Sequence, residues 1–139
     1  MVAYIASMQP LPLIPWQTEA PGFNVTELSE SEERVRDHFT LPCIRYAGSH
    51  TRCGCGFNEG REHPEVYNDV AKARIDALKS SSCLADYIRK HGIEQIYSCW
   101  SGDEVQPKEF ERHIVPNDLL AENFFFRERE LLIIDKADA

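Results

Sequence analysis

A chain of 139 residues, 42% hydrophobic and 27% charged, has the size and composition of one folded domain with its own core, which excludes wholesale disorder. Its formal net charge of −8 and pI near 5.1 argue against nucleic acid and anionic membrane as partners, since both are met by a basic footprint. No run approaches the ~18 apolar residues of a membrane helix.

The N-terminal stretch 1–16 carries no basic residue and contains Pro10, Pro12 and Pro15, so it lacks the charged and apolar regions of a signal peptide. The expectation is a cytoplasmic location. The five cysteines (43, 53, 55, 83 and 99) are then expected as reduced thiols or ligands rather than structural disulfides.

Along residues 1–7, Val2, Tyr4 and Ala6 alternate with Ala3, Ile5 and Ser7, a pattern that predicts a strand buried on both faces. Segment 9–21 is proline-rich and long for a connection in a compact domain, with Trp16 expected to plug the core. Ser29 and Glu32 have the spacing of a capping box, and Glu30, Glu32 and Glu33 complement the helix dipole. A first helix is therefore predicted, with Val35 and Phe39 on its apolar face and Pro42 as its stop.

Residues 43–47 read as a second strand. A second helix starts near Pro64 and buries Val66, Val70, Ala73 and Ala77. A break is expected at Ser80, Ser81 and Ser82, after which Leu84, Ala85 and Ile88 resume the stripe up to Gly92. Lys72, Arg74, Lys79, Arg89 and Lys90 are interspersed with Asp69, Asp76 and Asp86, as on a solvated helix face. Residues 93–100 form the third strand, and Gly102 marks a turn. Residues 109–115 are a candidate strand and 116–121 a short helical turn. Residues 123–126 and 131–135 are apolar on both faces and read as two strands or one bent strand.

This order predicts a single α/β domain over 1–139. Its mixed sheet has a β-α-β-α-β parallel core and a C-terminal antiparallel extension; α+β is the alternative. Parallel strands would gather three segments at one sheet edge: the proline-rich loop with Trp16, the loop 48–63, and residues 99–104.

The chemically distinctive stretch is 48–57, where Gly48, Gly54 and Gly56 surround His50, Arg52, Cys53 and Cys55. Zinc takes tetrahedral sulfur and nitrogen ligands, which makes His50, Cys53, Cys55 and Cys99 the candidate metal set. His63 is an alternative fourth ligand, and Asp103 in that place would leave an open, catalytic site. The C-x-C spacing departs from the usual C-x₂₋₄-C of zinc sites. It also suits thiol redox chemistry, in which the Cys53–Cys55 pair closes a small, strained, oxidising disulfide. Cys43 and Cys83 are expected in the core. No phosphate loop, G-x-S-x-G, H-E-x-x-H or dinucleotide fingerprint is present. The sequence thus leaves three functions open: a small zinc-binding protein, a thiol-redox protein, and an acidic interaction module for a basic protein partner. Whether it is an enzyme is left undecided.

Overall fold

A computed structural model describes residues 1–136. The first strand, β1 (Val2–Ser7), is buried at all six positions, as its two-sided apolar pattern predicts. It lies inside a six-stranded sheet that also contains β2 (Asn24–Thr26), β3 (Cys43–Gly48), β4 (Gln95–Cys99), β5 (Phe110–Ile114) and β6 (Glu130–Ile134), in the order β2-β3-β1-β4-β6-β5. The sheet is mixed. β5 and β6 pair in parallel, and the other four neighbouring pairs are antiparallel.

Two expectations are corrected: the C-terminal extension is antiparallel only where β6 meets β4, since β5 joins β6 in parallel, and the three leading strands are not parallel neighbours. β1 runs antiparallel to both β3 and β4, with Ala3 opposite Ala47 on one side and Ser98 on the other. The cause lies in the connection from β1 to β3. The proline-rich segment carries the chain back along the sheet to Asn24, which pairs with Gly48, and Ile14 bridges Val25 on the way. The 3₁₀ helix Glu30–His38 then returns it; at about 2 Å per residue its nine residues span about 18 Å. Two traverses bring the chain to β3 at the edge where it left β1. β3 and β4 consequently run the same way, joined by a helix, with β1 inserted between them.

That helix is α2 (Val70–His91), capped by Asp69, whose carboxylate accepts the Lys72 N–H at 3.0 Å. It ends at Gly92, which takes the left-handed conformation at φ 68°. The break expected at Ser80, Ser81 and Ser82 is absent. Ser80 and Ser81 are buried, and their hydroxyls are taken up by His50 and Arg61, so they have no need to turn back on the helix backbone. Val66 is exposed at 72%, because the chain before α2 makes only the 3₁₀ turn Pro64–Val66.

α2 covers one sheet face, where Leu84, Ala85 and Ile88 pack with Ile5, Ile96, Leu132 and Phe57. The other face, carrying Tyr4, Ala6, Ile44 and Tyr97, is closed by Val35 with Leu28, Phe39 and Leu41. Only half of the capping box forms there. The Glu32 carboxylate accepts the Ser29 N–H at 2.8 Å, while the Ser29 hydroxyl meets Ser31. Residues 123–126 are not a strand. Asn58 holds this segment in place of a ladder, accepting the Phe126 N–H at 2.7 Å and donating to the Phe126 carbonyl at 2.9 Å.

Continuity of α2 through its serines makes Leu84 a core position and Leu78 a surface one, 0% and 44% exposed. Leu84→Ala is expected to lower unfolding free energy by ~2–5 kcal/mol, and Leu78→Ala to change it by ~0.5 kcal/mol or less, both read from urea midpoints.

Candidate functional site

β3 and β4 end at the same sheet edge, where β1 and β2 begin. The segments that follow them are thereby brought together, as the sequence argument required, although by a different topology. Between them lies a cleft of about 770 Å³ with Thr51, Arg52 and Cys53 from the loop after β3, and Ser101, Gly102 and Glu104 from the loop after β4. Ser29 and Glu32, at the start of the 3₁₀ helix, and Tyr46 of β3 complete much of its wall.

The loop after β3 is wound tightly around Ser49, which is 0% exposed. The Ser49 N–H and hydroxyl both donate to the Cys53 carbonyl, at 2.9 and 2.7 Å, and Arg52 N–H closes back on Ser49 O. Arg52 sits at φ 74°, a left-handed position that reverses the chain. A helical turn, α1 (Cys55–Asn58), follows. Gly56 is required within it, because a Cβ there would press on the Ser49 hydroxyl and the His50 ring.

This winding sets the two loop thiols apart. Cys53 is half-buried; its sulfur receives the Cys55 N–H at 3.4 Å and lies 3.4 Å from the Thr51 hydroxyl. Burial pushes the Cys53 thiol up, but the Thr51 and Cys55 hydrogen bonds outweigh it and hold it below the ordinary thiol value. Cys55 is exposed, with its sulfur 3.0 Å from the Met1 nitrogen. Burial and the neighbouring Cys53 raise its thiol despite that nitrogen.

The other expected ligands are placed elsewhere. His50 is held at both ring nitrogens, with Ser80 Oγ 2.9 Å from Nδ1 and Glu59 Oε2 3.1 Å from Nε2. Cys99 is 0% exposed in the core beneath the 3₁₀ helix, and burial, then Glu104 and Asp103, push its thiol up to about 12. His63 is exposed beside Glu65, and Asp103 is partly exposed in its turn. Of the four residues proposed as a metal set, the loop brings Cys53 and Cys55 together. Among the described residues, no three His, Cys, Asp or Glu side chains are grouped so that they could hold a metal ion.

Cys43 is half-buried and Cys83 exposed, against the expectation of two core cysteines. Trp16 is half-buried rather than a core plug, and the Arg52 guanidinium lies over its ring, 5.8 Å from the centroid. No helix among the described residues is long and apolar enough to cross a membrane.

The cleft also holds an arrangement that the sequence reading missed. The Tyr4 hydroxyl, on a 0% exposed side chain, lies 2.8 Å from Glu32 Oε2 and 2.7 Å from Glu104 Oε2. Glu104 is 5% exposed, and its other oxygen accepts the Gly102 N–H at 2.9 Å. Burial, then Glu104 and Glu32, raises the Tyr4 phenol well above its ordinary value, so it keeps its proton. A signal was present in the sequence: a tyrosine predicted inside a two-sided buried strand needs a polar partner for its hydroxyl. Each carboxylate also has a local partner, Glu32 in the Ser29 N–H of the helix start and Glu104 in the Gly102 N–H of the turn.

No protein-family model, curated protein or solved structure matches this chain.

Close packing at Gly56 is expected to make Gly56→Ala destabilising by ~1–3 kcal/mol, with a lowered thermal midpoint. Gly22→Ala, where the nearest atom to an added Cβ is 3.9 Å away, should leave the midpoint close to that of the parent protein.

Proposed function

We propose that the protein is a dithiol redox protein in which Cys53 is the attacking thiolate and Cys55 the thiol that resolves the intermediate. The observation that carries this reading is the asymmetry of the pair. The sulfur on the cleft wall is half-buried and receives the Cys55 N–H, while its neighbour two residues on is exposed beside the Met1 nitrogen; the hydrogen bonds to Cys53 hold its thiol below the ordinary value, and burial and Cys53 raise that of Cys55. Nucleophile and resolving thiol need that division of roles.

With a disulfide as oxidant, the steps balance as follows. The Cys53 thiolate attacks one sulfur, forms a mixed disulfide and expels the other sulfur as a thiolate. The Cys55 sulfur, giving its proton to solvent, then attacks Cys53, forms the Cys53–Cys55 disulfide and releases the second thiolate. A dithiol reductant reverses the cycle.

On this reading, iodoacetamide alkylates Cys53 first in the native protein. Its rate should rise with pH and reach half-maximum below ~8.5, the ordinary thiol value, because a lowered pKa supplies thiolate at lower pH. Cys83, exposed but with its thiol raised by burial and by Asp86, should react more slowly, and Cys99 only after unfolding. Labelling of Cys83 ahead of Cys53 would overturn the proposal. Treatment with cystine should remove about 2 Da from the parent mass by closing the intramolecular disulfide, and either Cys53→Ser or Cys55→Ser should prevent this. The zinc reading makes a different prediction for the untreated protein: a native mass raised by about 63 Da and lost in the same variants.

A further inference from the structure

The cleft that carries Cys53 has a strongly polar wall. Its charged lining residues are Glu32, Glu104 and Arg52, and serine and threonine hydroxyls make up much of the rest. Its volume of about 770 Å³ falls within the roughly 300–1,000 Å³ of small-molecule sites. A wall of this kind selects a small ligand that is itself polar or charged.

The three charges differ in what they have left to offer. Glu104 is 5% exposed, with one oxygen on Tyr4 and the other on the Gly102 N–H. Glu32 is half-buried. One of its oxygens accepts the Ser29 N–H and the other meets the Tyr4 hydroxyl, which leaves about two of a carboxylate's roughly four acceptor sites open. Arg52 is exposed, and its guanidinium lies over the Trp16 ring, forming no ion pair or hydrogen bond among the described residues. A guanidinium in that state is a seat for a carboxylate.

Both open charges lie beside the reactive sulfur. Arg52 immediately precedes Cys53, and the Tyr46 hydroxyl donates to Arg52 O at 3.1 Å. Burial, then Cys53, Glu32 and Cys55, raise the Tyr46 phenol, and Arg52 lowers it, as expected of groups gathered around one hydroxyl.

We propose that the disulfide reduced in this cleft is a small amino-acid disulfide of the cystine type, with its α-carboxylate at Arg52 and its α-ammonium at Glu32. This rests on the thiol reading above and adds the class of substrate. Each half of cystine carries both charges on the carbon one methylene from sulfur, so a molecule placed for attack presents both to the wall. A disulfide inside a protein chain has lost both charges to peptide bonds. Attack by the Cys53 thiolate releases one cysteine, and closure by Cys55 releases the second. Cystine is thereby reduced to two cysteines as the Cys53–Cys55 pair is oxidised.

Three disulfides separate the two charges: cystine carries both, cystamine only the ammonium, and dithiodipropionate only the carboxylate. Closure of the Cys53–Cys55 disulfide is followed by mass. Each rate is divided by that disulfide's rate with mercaptoethanol, which removes intrinsic reactivity. Normalised in this way, cystine is expected to exceed each of the other two by ~10-fold, the worth of one charge-assisted hydrogen bond. Arg52→Gln should remove the advantage of cystine over cystamine, and Glu32→Gln its advantage over dithiodipropionate. Each ratio is internal to one variant and does not depend on how much of it folds. Cystine capped by acetyl and amide groups, standing for a disulfide within a protein chain, should be slower than free cystine. Equal normalised rates for the three disulfides in the parent protein, or faster reaction of the capped form, would overturn the substrate assignment. Slow Cys53 alkylation by iodoacetamide, with none of the disulfides closing the pair, would instead overturn the thiol reading itself.

Discussion

The burial of β1 on both faces is the constraint on which the rest of the molecule depends. A strand hydrogen-bonded to neighbours on both sides and covered above and below offers no water to any polar atom it carries. Tyr4 nevertheless brings a hydroxyl there. Leaving it unsatisfied would cost roughly 1–3 kcal/mol. The fold meets this demand from two directions at once, with a carboxyl from the 3₁₀ helix above the sheet and another from the turn after β4. The element that closes the second face and the turn that bounds the cleft are fastened through one phenol oxygen. The Glu32 side chain also holds the helix entry through Ser29, so the same carboxyl orders the helix start and the cleft wall.

Much of the fold was legible because it depends on period and punctuation. β1, β3, β4, β5 and the last strand follow from alternation or apolar runs, and the end of α2 at Gly92 from the need for a left-handed residue. What stayed hidden depends on tertiary partners. Ser80 and Ser81 look like a helix break until His50 and Arg61 are seen to occupy their hydroxyls. Phe124 and Phe126 look like a strand until Asn58 is seen to take the backbone groups that a ladder would use. The direction of β3 relative to β1 turns on how many times the connection crosses the sheet, and a proline-rich segment does not declare that in sequence. β2, three residues long, is set by its pairing with β3.

The site was half legible for a related reason. Cys53 and Cys55 stand out as a pair set among glycines, and local winding is enough to bring them together. The carboxyl array draws its members from positions 4, 32 and 104, each with an adequate local explanation. Residues that already satisfy a cap, a turn or a core position give no surplus signal. His50 illustrates the converse, since its place beside two cysteines suggests a ligand, while the buried Ser80 hydroxyl draws it toward the helix.

The two adjacent serines of α2 have one more consequence. Ser80 holds His50 at the entrance of the loop after β3, and Ser81 holds Arg61 beyond its end. The loop is therefore an arch with both feet on one turn of a helix, and between those feet Phe57 and Asn58 reach back into the core. A shift of that single helical turn would move both ends of the arch together, and with them the backbone that carries Cys53.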